Sequence, residues 1–252
     1  MNRRTFAIAA AIMLTSGTAA HAAPGIDSKV YGTGIAPGVT EIETRYARLT
    51  GKTVDGASAL VLEAAHGFSD RFYGAVLTTL VSAPDRVAGS STTVSGVGFE
   101  GVYRIGRIPG IGVDVAAYAE YAAAFRGEPH NLEFKALLEK RAGKLDTRVN
   151  LVAERLLRGA APVVFSYAAS ADYAVIGDEV RLGAQAFGDL GDSDRFAGRQ
   201  AHFLGPVGKF ELEHTPLGGE LGIEAGYLFA VGAARDSARG QARLLLEWEF
   251  RF

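Results

Sequence analysis

Acidic and basic residues recur at every second position through much of this 252-residue chain, and that spacing limits the chemistry they can do. Glu41, Glu43 and Arg45; Glu139 and Arg141; Lys209, Glu211 and Glu213; Glu220 and Glu224; and Glu247, Glu249 and Arg251 are all spaced by even numbers of residues. Side chains of a strand alternate between its two faces, so each group would share one face of one strand. Rows of mixed charge either pair with one another or line a wet passage and sort solutes by charge.

Other candidates for chemistry are weaker. Beyond residue 22 the histidines are His66, His130, His202 and His214. His202 follows Asp189, Asp192, Ser193 and Asp194 closely enough to suggest a His/Ser/Asp set. Catalysis would need a nucleophile and base within hydrogen-bond reach, and a solvated acidic loop explains the same residues more simply. The three aspartates offer hard oxygen ligands for Ca²⁺ or Mg²⁺ but lack a regular calcium-loop spacing. The sequence contains no cysteine, no glycine-rich phosphate loop and no Cys/His cluster. The expectation is a protein that is not an enzyme, with no catalytic residues, cofactor or metal.

Positioning such rows requires strands, and the chain reads as about twelve of them. Their expected spans are 39–49, 57–66, 71–82, 92–105, 111–125, 131–141, 145–156, 163–176, 179–188, 201–213, 220–232 and 241–252. Most are roughly twice the usual length of a globular strand, as a tilted membrane crossing requires. Pro84, Pro109, Pro129, Pro162 and Pro216 fall in the proposed connections, where no ladder hydrogen bond is lost. Pro206 falls inside the tenth strand, which should therefore bulge or begin late. Aromatic residues on the face opposite the charges cluster toward the strand ends. Phe72, Tyr103, Tyr173, Phe210, Trp248 and Phe250 lie toward one end, and Tyr46, Tyr121, Phe125, Phe134, Phe165, Tyr227 and Phe229 toward the other. Two such girdles suit the two interfaces of a membrane. Tyr73, Tyr118, Phe187 and Phe203 point the opposite way.

The first residues read as a processing segment. Arg3 and Arg4 precede the apolar run Phe6–Leu14, and Ala20-His21-Ala22 forms an A-x-A cleavage site. The expected organisation is a signal peptide over 1–22, a short periplasmic segment over 23–38 and a barrel over 39–252. Without Arg3 and Arg4, 24 of the 26 basic residues remain against 28 acidic ones. A mildly acidic chain gives no sign of a nucleic-acid partner.

The chain ends Leu244-Leu245-Leu246-Glu247-Trp248-Glu249-Phe250-Arg251-Phe252, with apolar and aromatic residues on one face and mainly charged ones on the other. This terminal strand resembles the C-terminal assembly signal of Gram-negative outer-membrane β-barrel proteins. The turn His66-Gly67-Phe68-Ser69-Asp70-Arg71 is similar to the Gly-aliphatic-Thr-Asp-Arg turns of that class. The resemblance spans everything after the signal peptide. It implies an all-β fold, a single antiparallel up-and-down transmembrane barrel with an even strand number, in the cell outer membrane. It also implies contact with outer-membrane lipid and lipopolysaccharide, and recognition of strand 244–252 by the barrel-assembly machinery. Oligomeric state is left open. The chain shows no nucleophile motif of the phospholipase or deacylase barrels, so an outer-leaflet lipid hydrolase is the remote alternative.

Within such a barrel the charged rows face inward, since a mid-membrane Arg or Lys on the lipid face costs about 2–4 kcal/mol. They crowd toward the periplasmic end, whereas inward positions toward the other end, such as Ser58, Gly96, Gly98 and Ser166, are small or mild. The expected lumen is a funnel, open above and charged below. The residues expected to line it are Glu41, Glu43, Arg45, Glu139, Arg141, Lys209, Glu211, Glu213, Glu220, Glu224, Glu247, Glu249 and Arg251. Two functions remain: a passive porin-like channel for small hydrophilic solutes, or a closed structural or surface-interaction barrel held by ion pairs. Adjacent opposite charges, Lys209 beside Glu211 and Glu139 beside Arg141, favour pairing.

Overall fold

The computed structural model describes residues 23–85, 89–213, 215, 216 and 218–251. Residues 1–22, expected to be a signal peptide, lie outside the described residues, as do His214 and Phe252. The rest forms twelve antiparallel strands: β1 (Val39–Thr50), β2 (Ser58–Gly67), β3 (Phe72–Asp85), β4 (Gly89–Ile108), β5 (Val113–Ala124), β6 (Asn131–Ala142), β7 (Leu145–Leu156), β8 (Val164–Ile176), β9 (Val180–Asp192), β10 (Ala201–Leu212), β11 (Glu220–Gly232) and β12 (Gly240–Arg251). Each pairs with its chain neighbours, and β1 pairs with β12 to close the barrel. Every expected strand is present, most with ends within about three residues of those read from periodicity, a scatter ordinary for strand limits. Closure leaves no unpaired sheet edge, which is what a strand wall in lipid requires.

The two rims differ. Turns between β2 and β3, β4 and β5, β6 and β7, and β8 and β9 are short and form the turn end, where β1 begins and β12 finishes. The opposite, loop end carries longer connections, one of which contains a single helical turn, α1 (Ala234–Ser237). Outward residues are apolar and exposed, among them Ile42, Leu62, Val76, Phe99, Leu151, Leu182 and Leu204.

Three details depart from expectation. The strand containing Pro206 begins at Ala201 and keeps its register: Leu204 faces Phe229 and Val207 faces Gly226, and the ladder to β11 skips only the positions between. Pro84 lies within the end of β3, opposite Ser90 of a β4 that runs for 20 residues. It tolerates a strand there because the β3–β4 hairpin extends past the other strands, where Pro is acceptable.

The third departure concerns residues 23–38. Expected on the periplasmic side, this segment instead runs through the lumen. Gly38 donates its N–H to Gly67 O at the turn end (2.8 Å). Tyr31 is 4 % exposed at the waist, and Ala23 and Ile26 pack toward the loop end. The reason is apolar surface. Phe187, Phe203, Val207, Leu228 and Leu49 point inward and form a buried cluster with Ala23, Ile26 and Val30 of the segment and Ala234 of α1. Tyr118, Val102, Ala116 and Leu137 form a second, joined by Tyr31 and Ile35 of the segment and by Tyr73. The lumen is therefore not an open funnel, because the segment and these two clusters occupy much of its interior. Phe203, at 1 % exposed, anchors this layer. Phe203→Ala is expected to cost about 3–5 kcal/mol of stability, measured by denaturant unfolding in detergent micelles.

Candidate functional site: a charged lumen threaded by residues 23–38

The charged rows meet the segment at the waist. In the closing register Glu41 faces Glu249 and Glu43 faces Glu247, while Glu43 also faces Glu63 across β1–β2. Like charges directly opposite one another destabilise a sheet. Their counterion comes from the segment: Lys29 Nζ bridges Glu43 and lies 3.3 Å from Glu41 and 3.7 Å from Glu63. Arg45, one pleat further toward the loop end, adds a guanidinium 2.6 Å from Glu43 and 2.9 Å from Glu63. The oxygens of Glu41, Glu43 and Glu247 lie within 4.8 Å of one another, close enough to hold a cation.

A second acidic arc crosses the far wall. Glu100 faces Glu120, Glu120 faces Glu133, and Glu133 faces Glu154 on β4 to β7. Here phenols and an ammonium do the compensating. Tyr31 Oη donates to Glu100 (2.9 Å), as does Tyr73 Oη (3.1 Å), and Tyr118 Oη lies 2.8 Å from Glu100 and 2.6 Å from Glu120. A phenol has one proton, so Tyr118 serves one of its two carboxylates at a time. Lys135 pairs with Glu133 at 2.9 Å and sits over the rings of Tyr31 and Tyr118, 4.4 and 4.1 Å from their centroids. Cation–π contact of this kind gains strength where water is excluded.

The wall reads the segment mainly through its backbone. Asn150, fully buried on β7, accepts from Tyr31 N (2.7 Å) and donates to Tyr31 O (3.0 Å), as a neighbouring strand would. Glu139 Oε2 accepts from both N and Oγ1 of Thr33 (2.7 and 2.9 Å). Arg243 donates to the carbonyls of Gly25 and Ser28 and stacks over Phe187. Gly25 holds φ +75° with its α-carbon against the Phe187 ring, so any side chain there would collide with it.

On either side of this layer a chamber remains. The one at the turn end is a cavity of about 610 Å³ lined by the segment and by Glu41, Glu139, Arg141, Lys209, Glu211, Glu224, Glu247 and Glu249, among others. The one toward the loop end is about 210 Å³, with Asp27, Glu120, Glu133, Glu154 and Lys135 in its wall. Tyr31 borders both.

Most of the expected lining residues are thus brought together. Glu43 and Arg45 lie deeper, buried with Glu63 beside the half-buried Lys29. Glu213, Glu220 and Arg251 are exposed near the turn-end rim. The pairing of Glu139 with Arg141 is present at 3.1 Å. Lys209 instead pairs with Asp172 (2.8 Å), two strands away on β8, and with Glu224 (3.6 Å) on the adjacent β11. Lys29, Tyr31 and Asn150 were not anticipated. A signal existed for the first two: Ile26, Val30, Tyr31 and Ile35 are apolar in a segment thought solvated, and four inward aromatics had no partner.

The hydrolase candidates are dispersed. His202 contacts the Tyr167 phenol at 3.3 Å. Asp192 accepts the N–H groups of Asp194 and Arg195, and Ser193 Oγ accepts from Val163 N, so these side chains shape the loop. Their geometry assembles no nucleophile–base pair.

No protein-family model and no curated protein matches the sequence. Solved structures do. The COG4313 outer membrane channel from Pseudomonas putida F1 is similar with a TM-score of 0.62 at 13 % identity, covering 86 % of this chain and 97 % of that one. A KdgM porin gives 0.56 at 9 % identity over 84 % and 99 %, and a NanC porin 0.53 at 12 % identity over 84 % and 100 %. The fold is that of outer-membrane porins and channels. A closed β-barrel of this kind is typical of outer-membrane proteins. In such barrels the short turns face the periplasm and the long loops the exterior.

Asn150 gives the direct check on the threaded segment. Asn150→Ala leaves a buried N–H and a buried C=O of Tyr31 unpaired, each costing about 1–3 kcal/mol. Amide hydrogen exchange across residues 29–35 is expected to speed up markedly while the strand amides stay protected.

Proposed function

We propose that the protein is a closed outer-membrane barrel, its lumen sealed by its own residues 23–38 and by ion pairs between segment and wall. Its work is then structural or carried by its exposed ends, not passive diffusion through an open pore. The observation that supports this is the burial of Tyr31 between the two chambers, clamped on both main-chain sides by Asn150. Removal of residues 1–22 at the A-x-A site would leave the free end of the segment inside the barrel. Lipopolysaccharide at the outer girdle and the assembly machinery at strand 244–252 are the partners this reading carries.

A second reading has its own support. The chambers face each other across a single layer, and the similar structures named above include a channel and two porins. On that reading the segment is a gate, and the passage behind it favours cations because carboxylates outnumber basic groups at the waist.

Planar-bilayer recording separates the readings. The intact folded chain is expected to give no conductance steps, and steps from it would overturn the closed barrel. Deleting residues 24–36 is expected to produce steps with a preference for cations, read from the reversal potential in a salt gradient.

A further inference from the structure

We infer that the carboxylate cage around Lys29 is a binding site for linear alkylammonium ligands, diamines and polyamines, which Lys29 fills as an internal stand-in. The inference rests on the threaded segment proposed above. The cage belongs to the barrel wall: Glu41 and Glu43 come from β1, Glu63 from β2 and Glu247 from β12. The cation does not. It arrives from outside the wall on an unbranched four-carbon stem, which is the shape of a primary alkylamine.

The cage also has acceptor capacity that Lys29 leaves unused. The Glu63 side chain is 1 % exposed; its Oε2 pairs with Arg45 at 2.9 Å, but its Oε1 receives no hydrogen bond and lies 3.7 Å from Lys29 Nζ. A buried carboxylate oxygen without a hydrogen bond costs free energy, and an ammonium seated closer would offset it. An ammonium has three donors, which three converging carboxylates can accept.

The length of the ligand follows from the wall. Below the cage, Glu41, Glu247 and Glu249 line the turn-end cavity of about 610 Å³. Carboxylates two residues apart on a strand are spaced about 6.5–7 Å. That is the separation of the two nitrogens in a short aliphatic diamine, so one ammonium would sit in the cage and the other at the level of Glu249. Entry is from the periplasmic side, through the mouth of that cavity.

The test uses the full chain carrying Lys29→Ala, folded in detergent. Its unfolding temperature is expected to fall below that of the unsubstituted chain. Putrescine or n-butylamine at millimolar concentration should restore at least half of the loss, whereas sodium chloride at matched ionic strength and tetramethylammonium should not. Equal recovery with sodium chloride overturns the inference, as does recovery with Mg²⁺ alone, which would mark a divalent-metal site. If Lys29→Ala does not fold unaided, refolding yield with and without putrescine becomes the readout, repeated in Lys29→Gln. No amine-dependent gain in either variant overturns the inference. Conductance of the intact chain is scored separately, so failure of the amine site and failure of the closed-barrel reading give different results.

Discussion

The barrel closes across a row of like charges, and the rest of the structure is arranged around that fact. At the β12–β1–β2 seam, Glu249 opposes Glu41, and Glu247 and Glu63 flank Glu43. Two unit charges about 5 Å apart repel by about 3 kcal/mol at an effective dielectric of about 20. Several such pairs at the strands that complete the cylinder would oppose its closure. Arg45 lies on β1 itself, but Lys29 must be brought in from outside the wall. Segment and wall complement each other: the segment takes main-chain hydrogen bonds from the wall, and the wall takes from it one of the cations that balance its carboxylates.

The segment satisfies that need with a division of labour along the barrel axis. Toward the loop end its contacts are apolar, against Phe187, Phe203 and Leu228. At the waist they are ionic and phenolic, through Lys29 and Tyr31. Toward the turn end, Thr33 and Gly38 are held through main-chain groups. A buried carboxylate needs hydrogen bonds to be tolerable. Tyr31, Tyr73 and Tyr118 supply them to Glu100 on β4.

The fold was readable from the sequence because a lipid-facing wall imposes period-two alternation on every strand, and a one-residue slip would put Glu43 or Arg45 into lipid. The aromatic girdles were readable for the same reason, since Tyr46, Phe134 and Phe229 are exposed where the alternation puts them. What period two could not show is what occupies the space enclosed. Inward positions of a barrel obey no pattern of their own: Tyr73, Tyr118, Phe187 and Phe203 looked like exceptions to an outward rule. They are instead the inner wall of two small cores. Lys29 was invisible for a different reason. It stands among residues with no strand period, and its partners lie 12 to 34 positions along the chain on β1 and β2, reached only because the segment turns back into the lumen.

Inward and outward faces therefore answer to different constraints. Outward residues need only be apolar, with aromatics at the rims, and this is compatible with a shared fold at 9–13 % identity. Inward residues must balance charge within a space where water is scarce, and there are two ways to do it. Water and mobile ions balance an open lumen; fixed groups must balance a filled one. In this chain most fixed cations stand on the wall, among them Arg45, Lys135, Arg148 and Lys209, and residues 23–38 add Lys29 where the wall concentrates carboxylates. The same acidic row that would make a cation-selective constriction in an empty barrel becomes, once that ammonium is seated, an ionic tie between the barrel and the segment that runs through it.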